Sequence, residues 1–193
     1  KDDVVQHANE GVVSWLRNTP NLTVFEGHGR FESSCTVRIN DTILDAGEIF
    51  INVGARASIP EIPGLVETGY LTKSGMMGID SLPDHLIIIG GSYVGLEFAQ
   101  MYRRFGSKVT VVEVGPRLIE REDEEVSRAV QEILAGEGID IMFDAKCLGV
   151  EKRGDGMLAR LNCGEAPREI KGSHLLLAVG RKPNSDDLGL DRA

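Results

Sequence analysis

Residues Leu86–Ile89 form an unbroken apolar run that ends in Gly90-Gly91-Ser92, and a helical apolar pattern begins directly after it. No other stretch constrains the fold as strongly. A strand that is apolar at every position must be covered on both faces, which is the situation of a parallel sheet. The glycines are spaced for a tight strand-to-helix turn: Gly90 for the turn, position 92 for close approach of a pyrophosphate, Gly95 for helix–strand packing. Val94, Phe98, Met101/Tyr102 and Phe105 mark one face of the helix and Gly106 closes it. Its N-terminus offers an anion unpaired N–H donors and the positive end of the dipole. Gly90, Gly91, Ser92, Tyr93, Val94 and Gly95 are therefore candidate contacts to a dinucleotide. Ser92 stands where the fingerprint has glycine; it is small, and its hydroxyl can donate to a phosphate oxygen.

A second apolar strand, Lys108–Val114, carries Glu113, 23 residues after Gly90. An acidic side chain there is placed to hold the adenosine ribose hydroxyls. A 2′-phosphate beside it would be repelled by about 4 kcal/mol per close charge pair at an effective dielectric of 20. Arg117 could offset part of this. The expectation is NADH over NADPH by on the order of a hundredfold, the ratio that about 2.7 kcal/mol gives. Glu122-Asp123-Glu124-Glu125 opens the next helix with carboxylates, where the dipole favours them. The expected buried face of that helix is Val126, Ala129/Val130 and Ile133/Leu134, with Gly136 and Gly138 ending it. Ile139–Phe143 reads as a third strand, Cys147–Lys152 and Met157–Asn162 as a hairpin split by Gly154-Asp155-Gly156, and Leu175–Val179 as a last apolar strand. Strands alternating with helices specify an α/β fold built on a Rossmann-like parallel sheet, with an antiparallel β-meander beside it.

The first third of the chain has a different texture. Asp3–Arg17 is helical by its spacing, and Leu22–Phe25, Thr36–Ile39, Ile43-Leu44 and Glu48–Val53 read as strands, with turns at Gly27-His28-Gly29 and Asn40-Asp41. Ile59-Pro60-Glu61-Ile62-Pro63-Gly64 cannot continue a helix or a central strand and is the expected linker. With 21 basic and 30 acidic residues the net charge is −9, which excludes a general nucleic-acid binder. No apolar run approaches a membrane span, and Lys1-Asp2-Asp3 opens without a signal core. Cys35, Cys147 and Cys163 are odd in number and far apart, so each reads as a small, partly buried apolar residue in a reducing, cytoplasmic setting. The histidines form no metal-binding spacing, and no metal is expected.

With these residues in place, the chain resembles the FAD-dependent pyridine nucleotide–disulfide oxidoreductases, dihydrolipoamide dehydrogenase and mercuric reductase among them. Leu86–Glu97 resembles the opening of the family's NAD domain, and Ala178-Val179-Gly180-Arg181-Lys182-Pro183-Asn184 is similar to its A-x-G-R-x-P-N signature. Phe50–Arg56, followed by Pro60 and Pro63-Gly64, is similar to its A-T-G strand end and linker, with Asn52 and Val53 in place of Ala and Thr. The Asn52 and Gly54-Ala55-Arg56 variations resemble the mercuric reductase branch.

The resemblance implies roles. Tyr93 would gate the flavin and Glu97 orient the nicotinamide carboxamide. Gly180 would meet the nicotinamide end, and Cys147 lies where the family passes the adenine. Gly29, Gly54 and Arg181 would lie on the FAD side. It also implies a division into the end of an FAD-binding half-domain (residues 1–64), an NAD(P)-binding domain (65–186) and the start of a return to the FAD domain (187–193). The glycine-rich FAD turn and a C-x4-C dithiol are absent from this sequence, so the expectation is the central portion of a homodimeric NAD(P)H:acceptor flavoprotein. Such a flavoprotein passes hydride to FAD and on to a disulfide, metal ion or similar acceptor, while the chain alone is inactive. Residues 1–64 are then expected to carry open sheet edge and apolar surface. NADH oxidase, peroxidase or quinone-reducing activity are alternatives, as is a non-catalytic NAD-binding or interaction module.

Overall fold

The computed structural model describes residues 1–163 and 166–193, which divide into two compact units, Lys1–Gly54 with Pro183–Ala193, and Ala55–Lys182. The first unit contains helix α1 (Asp2–Asn18) and three short strands, β1 (Gly29–Phe31), β2 (Thr36–Ile39) and β3 (Thr42–Asp45), in an antiparallel sheet of that order. Asn40 makes the β2–β3 turn in the left-handed region (φ +53°), which asparagine tolerates better than most residues. The C-terminal segment is stitched to this unit: Phe31 N–H donates to the Leu188 carbonyl at 2.7 Å, Asn184 N–H to that of Gly54 at 3.1 Å, and Asn184 Nδ2 to that of Val53 at 3.0 Å. His28 Nε2 lies 3.2 Å from the Asp187 carboxylate.

The second unit begins with β4 (Ala55–Ala57), which pairs with β12 (Arg181–Pro183), and two short helical turns, α2 (Leu65–Thr68) and α3 (Lys73–Met76). Its centre is the expected parallel sheet. Strands β5 (His85–Ile89), β6 (Lys108–Val112), β7 (Asp140–Met142) and β11 (His174–Leu177) lie in the order β11-β5-β6-β7, connected from β5 to β7 through helices α4 (Tyr93–Phe105) and α5 (Glu124–Gly136). Alternate residues serve two cores. Leu86, Ile88, Val109, Val111 and Leu176 pack with Leu96, Phe98, Ala99, Tyr102 and Leu134 of the helices. Ile87, Ile89, Val112, Leu175 and Leu177 pack under an antiparallel meander of β8 (Ala145–Arg153), β9 (Gly156–Cys163) and β10 (Ala166–Gly172). That double cover is why the β5 sequence is apolar throughout. Gly106 (φ +111°) ends α4 with a Schellman pair, its own N–H on Arg103 O and the Ser107 N–H on Tyr102 O. No helix among the described residues is long and apolar enough to cross a membrane.

Several expectations are corrected. Leu22–Phe25 and Glu48–Val53 join no strand ladder; a β-rich sequence becomes a strand only against a partner, and Phe50 is 89% exposed. The helix over Asp2–Asn18 forms but buries none of its residues. The compact units meet at Gly54/Ala55 and Lys182/Pro183. The Pro/Gly segment belongs to the second unit because Val150 N–H donates to Pro63 O at 2.9 Å and Leu65 is buried in the meander core. On α5, Val126, Ala129 and Ile133 face solvent. Ser127 and Leu134 are buried and Val130, as expected with Leu134, packs half-buried beside them; the Ser127 hydroxyl donates to Leu118 O at 2.7 Å inside the fold. Phe105 is exposed at the end of α4, and Cys35 is exposed rather than partly buried. The Cys163 side chain lies outside the described residues. The expected hairpin is two strands of a three-stranded meander.

Packing gives a paired test. A Cβ on Gly95 would run into the Gly90 carbonyl oxygen, whereas a Cβ on Gly136 meets nothing within 4 Å. Urea unfolding should show Gly95→Ala losing about 2–3 kcal/mol by overpacking, and Gly136→Ala gaining on the order of 0.5 kcal/mol through the unfolded chain. Amide exchange should be far faster over residues 1–54 than over β5 and β6, because the first unit buries little apolar side chain; equal protection in both would refute that difference.

Candidate functional site

Strand β5 is the point at which the sheet changes direction: β6 lies on one side of it and β11 on the other. In open parallel sheets the crevice outside the C-terminal strand ends at such a switch is where ligands bind. Three loops meet there. The turn after β5 is shaped by Gly90, at φ +109°, whose N–H donates to Val112 O at 2.9 Å. A Cβ on Gly90 would stand 2.5 Å from Ala178 O, so the loop after β11 can approach only a glycine. Gly95 has the same requirement one turn later against Gly90 O and the Ala178 methyl. These contacts place the start of α4 against the end of β5.

Ser92 is the N-cap in extended conformation, and the first intrahelical bond is Leu96 N–H to Ser92 O at 3.0 Å. The preceding N–H groups therefore have no partner within the helix and point outward with the positive end of the dipole. The Ser92 hydroxyl makes no capping bond.

The third loop follows β6 and is bound to the first. Glu113 accepts the Gly91 N–H on Oε2 at 2.5 Å and the Gly115 N–H on Oε1 at 2.8 Å, so its carboxylate is fixed beside the mouth of α4. Ile119 N–H donates to Gly91 O at 3.0 Å, with Ile119 at φ +40°, a left-handed conformation that a β-branched residue adopts only under constraint. Leu118 packs so closely that a Cβ on Gly91 would be 2.7 Å from its methyl. Ala178 opens the A-x-G-R-x-P-N-like segment, whereas nothing in the sequence marks Leu118 and Ile119 as site residues: each acts through a backbone atom or a methyl that no motif specifies.

Tyr93 is half exposed and its hydroxyl donates to the Glu122 carboxylate, joining the first turn of α4 to the loop ahead of α5. Glu97 lies exposed one turn further along α4, on the same side as Tyr93. Arg117 donates through Nη2 to Glu120 O at 2.8 Å, within its own loop. Gly180 (φ +115°) follows Ala178 at the loop beside Gly90, and its carbonyl accepts the Ser58 N–H at 3.0 Å; Arg181 donates to Ala55 O at 3.1 Å. Cys147 is buried in the meander core, its sulfur 3.7 Å from Gly149 O, and burial pushes its thiol above the ordinary value. Gly29 and Gly54 belong to the first unit, Gly29 in β1 and Gly54 at φ +66°. No cluster of three potential metal ligands occurs among the described residues.

Residues 3–193 match the pyridine nucleotide-disulphide oxidoreductase family. The chain belongs to this family. It is 38% identical over 159 residues to a mercuric reductase of Streptomyces lividans, covering 81% of this chain and 33% of that protein. It is 29% identical to a dihydrolipoyl dehydrogenase of Thermus scotoductus, covering 100% of this chain and 42% of that one. The HOCl-induced flavoprotein disulfide reductase RclA of Escherichia coli superposes with a TM-score of 0.89 at 31% identity, covering 100% of this chain and 44% of that structure. The chain thus spans between a third and a half of the length of these relatives. Family membership implies FAD and a pyridine nucleotide as cofactors; the loop at Gly90–Gly95 has the helix N-terminal donors and the turn and packing glycines of a dinucleotide-binding turn, with Ser92 at the close-approach position.

The Tyr93–Glu122 hydrogen bond holds the phenol protonated and raises its titration above the ordinary value, with the bond as the main cause. Its stabilisation is therefore present below the unfolded tyrosine value and is lost as pH rises through the folded one. Tyrosinate absorbance during an alkaline titration should show one of the three tyrosines moving down towards pH 10 in Glu122→Gln. That component should be absent from Tyr93→Phe.

Proposed function

We propose that the crevice at the end of β5 binds NADH, and that the whole protein is an NAD(P)H:acceptor flavoprotein. The observation that carries this reading is the Glu113 carboxylate, held between the Gly91 and Gly115 amides at 2.5 and 2.8 Å beside the unpartnered first turn of α4. The diphosphate would take the N–H groups of Ser92, Tyr93 and Val94, together with the Ser92 hydroxyl. Glu113, already oriented, would accept the adenosine ribose hydroxyls, exchanging its bond to the Gly91 amide for one to the sugar. Gly180 would leave room for the nicotinamide end, with Glu97 orienting the carboxamide and Tyr93 covering or clearing the ring. When bound, the nicotinamide supplies a hydride to FAD, and a disulfide, metal ion or similar acceptor takes the electron pair from there. This chain's own residues bind, orient and exclude water; they move no proton in the steps described.

Cys147 serves packing in this reading, because a thiol that burial keeps protonated is a poor redox nucleophile. Gly54 and Arg181 would meet the flavin side, and the assembled enzyme would be a homodimer in the cytoplasm. The sequence has no C-x4-C pair, so the chain by itself should bind NADH without turning it over.

Fluorescence titration of the chain should give NADH an affinity about a hundredfold above NADPH, a difference of about 2.7 kcal/mol. Glu113→Gln should shrink that ratio to about tenfold or less by removing the charge that repels a 2′-phosphate. Equal affinities in the unmodified chain would remove Glu113 from its role. Robust turnover of NADH with added FAD and a dye acceptor would refute the inactivity of the chain alone.

A further inference from the structure

The parallel sheet has a second open end, away from the dinucleotide crevice. On the face covered by the meander, Ile87, Ile89 and Val112 are closed into the core. One pleat earlier on the same face, at the N-terminal ends of the strands, the cover lifts off. His85, Lys108, Thr110 and Asp140 there form one wall of a cleft of about 700 Å³, and Arg168–Lys171 of β10 forms the other. Ile141, Met142 and Ile170 give it an apolar lining. The volume falls within the range of about 300–1,000 Å³ typical of small-molecule sites, and the lining is mixed, with charged and polar side chains alongside Ile141, Met142, Leu158 and Ile170.

The charges in this cleft are unevenly matched. Asp140 is 3.8 Å from Lys108, and Glu169 is 3.9 Å from Arg160 of β9. Among the described residues this leaves Arg168 and Lys171 without an acidic partner. Both are exposed cations, and they give the cleft a local positive balance in a chain whose net charge is −9. The buried Thr110 hydroxyl and His85 Nε2 are 2.9 Å apart, a donor–acceptor pair at the inner wall. Burial, reinforced by the Lys108 charge, holds His85 below its ordinary value, so the imidazole is neutral near pH 7 and adds no charge of its own.

We propose that this cleft is a second ligand site, which takes a small amphipathic anion, a carboxylate or phosphate monoester on a flat apolar body. Arg168 grips the anionic end, Lys171 adds charge at the rim, and the body lies over Met142 and Ile170 towards the His85–Thr110 pair. A guanidinium suits this task because its planar fork matches both oxyanions. The site is independent of the dinucleotide reading, since none of its residues belongs to the β5–α4 turn or the loop after β6.

Titration of the whole chain with phenyl phosphate and with benzoate, followed by ¹H–¹⁵N NMR, tests this. Saturable shifts should appear at residues 108–110, 140–142 and 168–171, read separately from any at the Gly90–Gly95 anion site, and only the former should weaken in the double variant below. The double variant Arg168→Ala/Lys171→Ala changes only exposed side chains; it should keep the spectrum of the folded chain and weaken phenyl phosphate by about tenfold or more. Inorganic phosphate, which lacks the apolar body, should bind about tenfold more weakly than phenyl phosphate. Shifts that stay linear with concentration, that scatter over the surface, or that saturate equally in the double variant overturn the proposal. So does inorganic phosphate binding as tightly as its phenyl ester.

Discussion

The contact between Gly95 and the Gly90 carbonyl is the constraint on which the second unit depends. A helix that follows a parallel strand after so short a turn can pack back on the sheet only if its first turn meets the strand end without a side chain between them. Gly95 meets that condition on the helix, and Gly90, at positive φ under Ala178 O, meets it on the turn. With both in place, Leu96, Phe98 and Ala99 reach the sheet core. The same contact fixes where the helix begins, and so where its unpartnered amides lie. The packing of α4 on the sheet and the exposure of its first-turn backbone thus rest on the same two residues, because a Cβ at either would collide.

The loop after β6 shows how a site is held when no single residue is strong enough to hold it. The Glu113 carboxylate, the Ile119 amide and the Tyr93–Glu122 bond each tie that loop to the turn after β5 or the first turn of α4. The loop is anchored to the helix that follows it through Ser127 and the Leu118 carbonyl. Ile119 is at positive φ within this web, a strain on the order of 1–3 kcal/mol that persists only where surrounding contacts over-determine it. An acidic side chain at this position is costly unless its oxygens are satisfied, and two amides satisfy them here. The carboxylate is thus oriented by backbone donors within the protein.

What the sequence made legible follows from how local each determinant is. Strand β5, the turn and α4 were readable because apolar run, glycine spacing and helical period occur within twenty residues and agree with one another. On α5 the expected face holds at Val130 and Leu134, which pack on the core, and fails at Val126, Ala129 and Ile133, because the fold buries Ser127 instead. A serine becomes a core residue only when a carbonyl such as Leu118 O is presented to it, and that carbonyl comes from a loop whose path the pattern does not contain. Strand β10 carries Ile170 as its one large apolar residue and pairs with β9 through its backbone, so no alternation announces it. The Pro/Gly stretch marked a real change of direction but not the edge of the unit. Proline and glycine report local backbone geometry, whereas unit boundaries are set by pairings such as β4 with β12, made across more than a hundred residues.

The first unit carries the same lesson in reverse. Leu22–Phe25 and Glu48–Val53 have strand composition without strand pairing, and α1 has an apolar stripe with Val4 73% and Trp15 69% exposed. The backbone hydrogen bonds of α1 close within the segment itself. A strand has no such internal satisfaction, so equal apolar content leaves those two segments irregular. A helix closes its hydrogen bonds within one segment, whereas a strand needs a neighbour, and in this unit Leu22–Phe25 and Glu48–Val53 have none among the described residues. In the second unit every strand of the parallel sheet has both a neighbour and a cover, and there the sequence pattern and the structure agree most closely.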